Sequence, residues 1–191
     1  MIFHSHQCIY LSVPKTGSTS IMKAFGLDWS HPDSQLMIHA QDDLNSLPTY
    51  FRFATIRNPF DRFISGWKYC DFTKDRSLMD VLTNLPVREL STKDNDRKTE
   101  DFAYRHITIT QKMRLFDLND KLVTNFLVRY ENLQSDFNLL CDMISKPRCV
   151  LSHENATKRE PYRQYFDTEP EAKKLAEEYF HEDLEVFGYC Y

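Results

Sequence analysis

Two apolar stretches, Cys8 to Val13 and Phe51 to Ile56, each break into a short polar loop that leads straight into a helical pattern. That arrangement constrains the fold more than any other feature of the chain. A short, nearly continuous apolar strand needs cover on both faces, and a strand followed at once by a helix is the building unit of parallel sheets. The helix after the first loop is predicted over Ser18 to Phe25. The second opens on Pro59, which suits a first helical turn, and runs to about Lys68 with Phe60, Phe63, Ile64 and Trp67 on one face. A third strand is predicted over Leu122 to Val128, and an amphipathic helix over Leu133 to Ile144. A last helix covers Glu169 to Phe180, before a tail from Asp183 to Tyr189. Gly26 to Met37 reads as loop. Asp71 to Asp101 is the most polar stretch and reads as a solvated excursion from the surface. The expectation is an α/β fold: one domain over residues 1–191, a central parallel sheet flanked by helices, and residues 71–100 as a variable acceptor-side or surface excursion.

In open sheets of this kind ligands sit at the carboxyl ends of the strands. The first strand ends in Pro14-Lys15-Thr16-Gly17-Ser18-Thr19, and the second in Arg57-Asn58-Pro59. Backbone N–H groups, hydroxyls and a mobile ammonium in the first loop are the parts of a phosphate cradle. The loop is not a Walker A motif, in which the lysine follows the glycines; here Lys15 precedes the glycine. Arg57, with its two-pronged guanidinium, and Ser65 on the following helix can grip a second phosphate. A nucleoside with anions at both ends fits the pair. Taken singly, a plain strand–helix turn and a surface arginine explain the same residues.

Composition removes other classes. No apolar run approaches the ~18–20 residues of a transmembrane helix, and the N-terminus shows no basic region followed by an apolar one, so a cytoplasmic protein is expected. A formal net charge of −4 argues against nucleic-acid binding. The cysteines at 8, 70, 141, 149 and 190 form no Cys-x-x-Cys pair and no metal-ligand spacing, so reduced, mostly buried thiols and no metal are expected.

The run Val13-Pro14-Lys15-Thr16-Gly17-Ser18-Thr19-Ser20 resembles the 5′-phosphosulfate loop of sulfotransferases that use 3′-phosphoadenosine 5′-phosphosulfate (PAPS). Phe53 to Ser65, with Arg57-Asn58-Pro59-Phe60-Asp61-Arg62 at its centre, resembles their 3′-phosphate motif. The likeness is to the carbohydrate (Golgi-type, family 2-like) branch. It continues through His39-Ala40, Tyr104-Arg105-His106 to Gln111, Val128 to Leu133, and His153-Glu154-Asn155 to Phe187-Gly188-Tyr189. The resemblance implies a P-loop-like fold and PAPS as co-substrate, released as adenosine 3′,5′-bisphosphate. It implies that Lys15 contacts the oxygen bridging phosphate and sulfate. The backbone of Thr16, Gly17, Ser18 and Thr19, with the hydroxyls of Thr16, Ser18 and Thr19, would hold the 5′-phosphate. Arg57 and Ser65 would hold the 3′-phosphate, and a loop with Asn155, Lys158 and Arg159 would close over the nucleotide.

Sulfuryl transfer needs alignment, a base for the acceptor proton, and stabilisation of the leaving oxygen. Among His4, His6, His31, His39, His106, His153 and His181, the resemblance favours His39 as base; His106 and Glu131 are the alternatives. The expected acceptor is a hydroxyl on a glycan, glycolipid or small metabolite. A nucleotide-binding module, or a nucleotide-dependent phosphotransferase using the same loop, is the rival reading.

Overall fold

The strand Cys8–Leu11 (β2) is buried along its whole length and lies inside a sheet of order β1-β2-β3-β4. The computed structural model describes residues 1–27, 44, 47–86, 90, 95–152, 154 and 159–191. β2 pairs in parallel with β3 (Phe51–Ile56), Cys8 opposite Phe51 and Leu11 opposite Ala54. β3 pairs in parallel with β4 (Phe126–Arg129), from Phe53↔Phe126 to Ile56↔Arg129. The expected all-parallel sheet is corrected at its edge. A two-residue strand, Ile2–Phe3 (β1), turns back through His4–His6 and pairs antiparallel with β2, so the sheet is mixed. Gln7 makes that reversal in a left-handed conformation, φ 48°.

The third strand also starts later than the apolar pattern suggested. Leu122 bridges antiparallel to Phe116 instead, across a turn in which Asp117 accepts from the N–H groups of Asn119 and Lys121. Those bonds hold the Asp117 carboxyl below the usual carboxylate range.

The chain falls into two compact units, residues 1–57 with 113–156 and residues 58–112 with 157–191. The first holds the sheet, α1 (Ser18–Ala24) and α6 (Leu133–Met143). Its core joins Tyr10, Ile21, Met22, Phe53, Val128, Phe137 and Leu140. The second is built of helices: α2 (Pro59–Tyr69), α3 (Leu78–Thr83), α4 (Glu100–Thr108), α7 (Tyr162–Phe166) and α8 (Pro170–Phe187). A further short helix, α5 (Gln111–Leu115), begins in it. Its core joins Phe60, Phe63, Trp67, Tyr104, Ile107, Phe166 and Phe180. At ~1.5–3 kcal/mol for each large apolar side chain taken out of water, either cluster accounts for a helix layer.

Two sequence expectations change in the second unit. Within 71–100, Ser77 caps α3 by accepting from the Asp80 N–H, and Leu78, Val81 and Leu82 are buried, so this part of the excursion belongs to the core. The last helix does not stop at Phe180. It runs to Phe187 and ends on Gly188 at φ 64°, a left-handed stop that glycine takes without strain.

Candidate active site

Lys15 stands in the left-handed region at φ 68°, where a side chain with a Cβ is strained, and Gly17 follows at φ 88°. The cost for a lysine is about 1–2 kcal/mol, and residues held in this way concentrate at functional sites. The sequence sets up the turn locally: β2 ends at Leu11, Pro14 cannot extend a ladder, and α1 begins at Ser18. Gly17 is required twice over. A Cβ there would meet the Tyr130 ring at 3.2 Å and Leu133 at 3.3 Å, in a backbone conformation that already disfavours one.

Arg57 holds the strained residue in place. Its Nη1 donates to the Lys15 carbonyl at 2.9 Å, and its guanidinium carbon lies 3.8 Å from the centre of the Tyr130 ring. Arg57 is only 6 % exposed. Cation–π contact and the carbonyl bond both fix the fork. Tyr130 therefore touches both Arg57 and the approach to Gly17, a role that the sequence alone did not assign.

Beneath the loop lies a set of buried hydroxyls. Thr16 Oγ1 donates to the Val13 carbonyl at 2.9 Å and lies 2.6 Å from Thr55 Oγ1. Ser18 Oγ donates to the same carbonyl at 3.1 Å and accepts from Ser12 Oγ at 2.8 Å and the Tyr10 phenol at 3.0 Å. The phenol also lies 2.5 Å from Thr55 Oγ1. Burial pushes the Tyr10 phenol up, against the pull of these hydroxyls, so it stays protonated. The Thr16 hydroxyl, expected to face a phosphate, is thus turned into the protein, with no exposed surface on the residue. Ser18 retains 7 % and Thr19 is half-buried. Tyr10 and Thr55 also escaped the sequence reading; their one signal was a hydroxyl inside an otherwise apolar strand.

Ser65 is buried on α2 in the second unit. Arg159 pairs with Asp61 at 2.6 Å, with the arginine side chain 12 % exposed. Asn155, Lys158 and the favoured base His39 lie outside the described residues. Glu131 is exposed in the short turn Tyr130–Asn132. His106, on α4, has Nδ1 2.7 Å from the Phe102 carbonyl, and its ring lies tilted against the Phe102 ring, centroids 4.3 Å apart. A carbonyl only accepts, so Nδ1 carries a hydrogen. Among the described residues, no group of three or more His, Cys, Asp or Glu side chains could hold a metal, and no helix is long and apolar enough to cross a membrane.

The chain thus combines a four-stranded mixed sheet with a strained lysine loop at the end of its first parallel strand, braced by an arginine from the next. The sequence model of the Sulfotransferase family matches residues 1–190, and the chain belongs to that family as a family 2-like member. The protein is accordingly a sulfotransferase, an enzyme of sulfuryl transfer. No curated protein and no solved structure matches the chain.

Proposed function

We propose that the protein moves a sulfuryl group from PAPS to an acceptor hydroxyl on a carbohydrate or glycoconjugate, by in-line displacement with His39 as base. The observation that carries this reading is Lys15, held at φ 68° through its carbonyl by Arg57. A strained residue on the lip of a parallel strand, bridged to a buried guanidinium, is what a P-loop-like cradle for a double-ended anion needs. Among the described residues nothing accepts from the N–H groups of Gly17 and Ser18, which leaves them for phosphate oxygens.

In this scheme the backbone of Thr16 to Thr19 and the hydroxyls of Ser18 and Thr19 hold the 5′-phosphate, while Arg57 and Ser65 hold the 3′-phosphate. Asn155, Lys158 and Arg159 contact the nucleotide. Lys15 stands at the bridging oxygen and stabilises it as charge gathers there, while His39 removes the acceptor proton. A sulfonate carries less charge than a phosphoryl group, so the chain's own cations suffice for the leaving group.

The test is calorimetric titration with adenosine 3′,5′-bisphosphate beside ATP·Mg²⁺, followed by transfer of labelled sulfate from PAPS to a panel of glycans. Selective binding of the bisphosphate with transfer to a sugar hydroxyl is expected. Preference for ATP·Mg²⁺, or binding without any transfer, would overturn the reading.

A further inference from the structure

The hydroxyls under the loop do not add up to one fixed pattern. Tyr10, Ser12, Thr16, Ser18 and Thr55 bring five hydrogens to six contacts: Tyr10–Ser18, Tyr10–Thr55, Ser12–Ser18, Thr16–Thr55, Thr16–Val13 carbonyl and Ser18–Val13 carbonyl. Each hydroxyl donates once, so one contact always lacks a hydrogen. Five arrangements satisfy the count, one for each ring contact left without a hydrogen, and they fall into two kinds by whether Thr16 serves the Val13 carbonyl. In one, Thr16 donates to Thr55, Thr55 to Tyr10 and Tyr10 to Ser18, and the Val13 carbonyl depends on Ser18. In the other, Thr16 serves the Val13 carbonyl, whichever of Tyr10 and Thr16 the Thr55 hydroxyl serves.

The second kind of arrangement has a consequence for binding. With Thr16 on the Val13 carbonyl, Ser18 can turn its hydrogen away without leaving a buried carbonyl unpaired, a loss that would cost about 1–3 kcal/mol. Without Thr16 it cannot. We infer that Thr16 is a positioning residue for anion binding: it takes over the Val13 carbonyl so that the Ser18 hydroxyl can donate to the 5′-phosphate. Tyr10 and Thr55 complete the ring of hydroxyls behind it. The inference rests on the proposed reading of the loop as a phosphate cradle. It assigns Thr16 a part different from the direct phosphate contact that the family resemblance implies, and the residue's complete burial agrees with the indirect part.

The two parts separate in a double-mutant cycle on the dissociation constant of adenosine 3′,5′-bisphosphate. Thr16→Val removes the hydroxyl at constant shape and should weaken binding about 5–20-fold, as should Ser18→Ala. In the Ser18→Ala background Thr16→Val should have no further effect, because its action passes through Ser18. Thr16→Ser should restore wild-type affinity. Additive losses mean that Thr16 touches the phosphate directly and overturn the inference, as does an unchanged affinity of Thr16→Val. A second measurement needs no variant: with ¹³C-labelled wild-type protein, saturation with the bisphosphate should shift the Val13 carbonyl resonance upfield as it loses one of two donors. A resonance that stays put in the saturated protein overturns the inference while leaving the cradle intact. A wild-type protein that binds no bisphosphate removes the cradle reading itself, and this inference with it.

Discussion

Two places in the molecule, the ground beneath the Lys15 loop and the start of α5, bury polar groups of different character. Under the Lys15 loop the first unit buries neutral hydroxyls that bond one another, around a backbone left in a strained turn. The second unit buries charge. Asp183 has no exposed surface and accepts from the N–H groups of Gln111 at 2.9 Å and Lys112 at 2.8 Å, which caps the start of α5. Arg62, equally buried, donates to the Ile107 carbonyl at 3.4 Å and lies 5.7 Å from the Phe180 ring centre. Neutral hydroxyls can re-aim their hydrogens at little cost, whereas a buried carboxylate held by two N–H groups fixes one arrangement. The contrast teaches where each kind of group belongs: adaptable polarity under a ligand loop, fixed polarity where helices must be held.

The largest expected effect breaks the comparison at Lys15. Lys15→Gly should cut turnover about 10²–10³-fold, the range lost with one group that stabilises a leaving or developing oxyanion. The same variant should melt slightly higher than wild type. Relief of about 1–2 kcal/mol of left-handed strain exceeds the roughly 0.4–1 kcal/mol that glycine adds to the freedom of the unfolded chain. Steady-state transfer from PAPS and a thermal melt of the unliganded protein read both. A stability loss would mean that Lys15 is a scaffold residue and the φ value carries no function.

Asp183→Ala is the converse. Two N–H groups at the start of α5 lose their acceptor, for about 2–4 kcal/mol, or a melting temperature lower by roughly 5–15 °C for a chain of this size. Bisphosphate affinity, measured below the transition, should stay within about twofold, because the aspartate's two N–H donors, Gln111 and Lys112, belong to its own unit. Should affinity fall as far as stability, the division into cradle and scaffold fails.

These two residues also mark what the sequence could and could not display. Lys15, Thr16, Gly17 and Ser18 are contiguous, and so are Arg57 to Pro59, so their chemistry is readable as strings. Parallel β2 and β3 were readable for the same reason, since a six-residue apolar run bounded by a loop is local information. β1 has two residues, too few for a period, and Asp183 meets Gln111 across 72 positions. Thr16 and Tyr10 meet Thr55 across 39 and 45 positions. A hydroxyl in an apolar strand shows only that some partner must exist, not which, and so the residues that support the loop from below stayed out of view.

Gly17→Ala sharpens the contrast from within the first unit. The methyl group would press on the Tyr130 ring at 3.2 Å in a left-handed backbone. A cost of about 1–2 kcal/mol is expected in the melt. Because Tyr130 also lies under the Arg57 guanidinium, bisphosphate affinity should fall as well. Replacing Tyr130 with leucine in the same background tests that link. If the smaller side chain restores the melt but not the affinity, Tyr130 supports Arg57; if it restores both, the contact with Gly17 was purely steric.

The smallest expected effect concerns charge at the edge of the first unit, where Lys23 pairs with Glu154 at 2.8 Å. The lysine's hydrogen bond and that of Ser152 hold the Glu154 carboxyl below its ordinary range. A carboxylate whose folded pKa is depressed adds stability above the unfolded value and loses it as pH falls through the folded one. Wild type should therefore melt marginally above Glu154→Gln at neutral pH, and the two should converge in acid below the usual carboxylate range. Added salt should shrink the neutral-pH gap, since the lysine side chain is 49 % exposed and exposed pairs are screened. A gap that persists in acid would mean that the glutamate acts by packing, like the scaffold groups of the second unit, and not by charge.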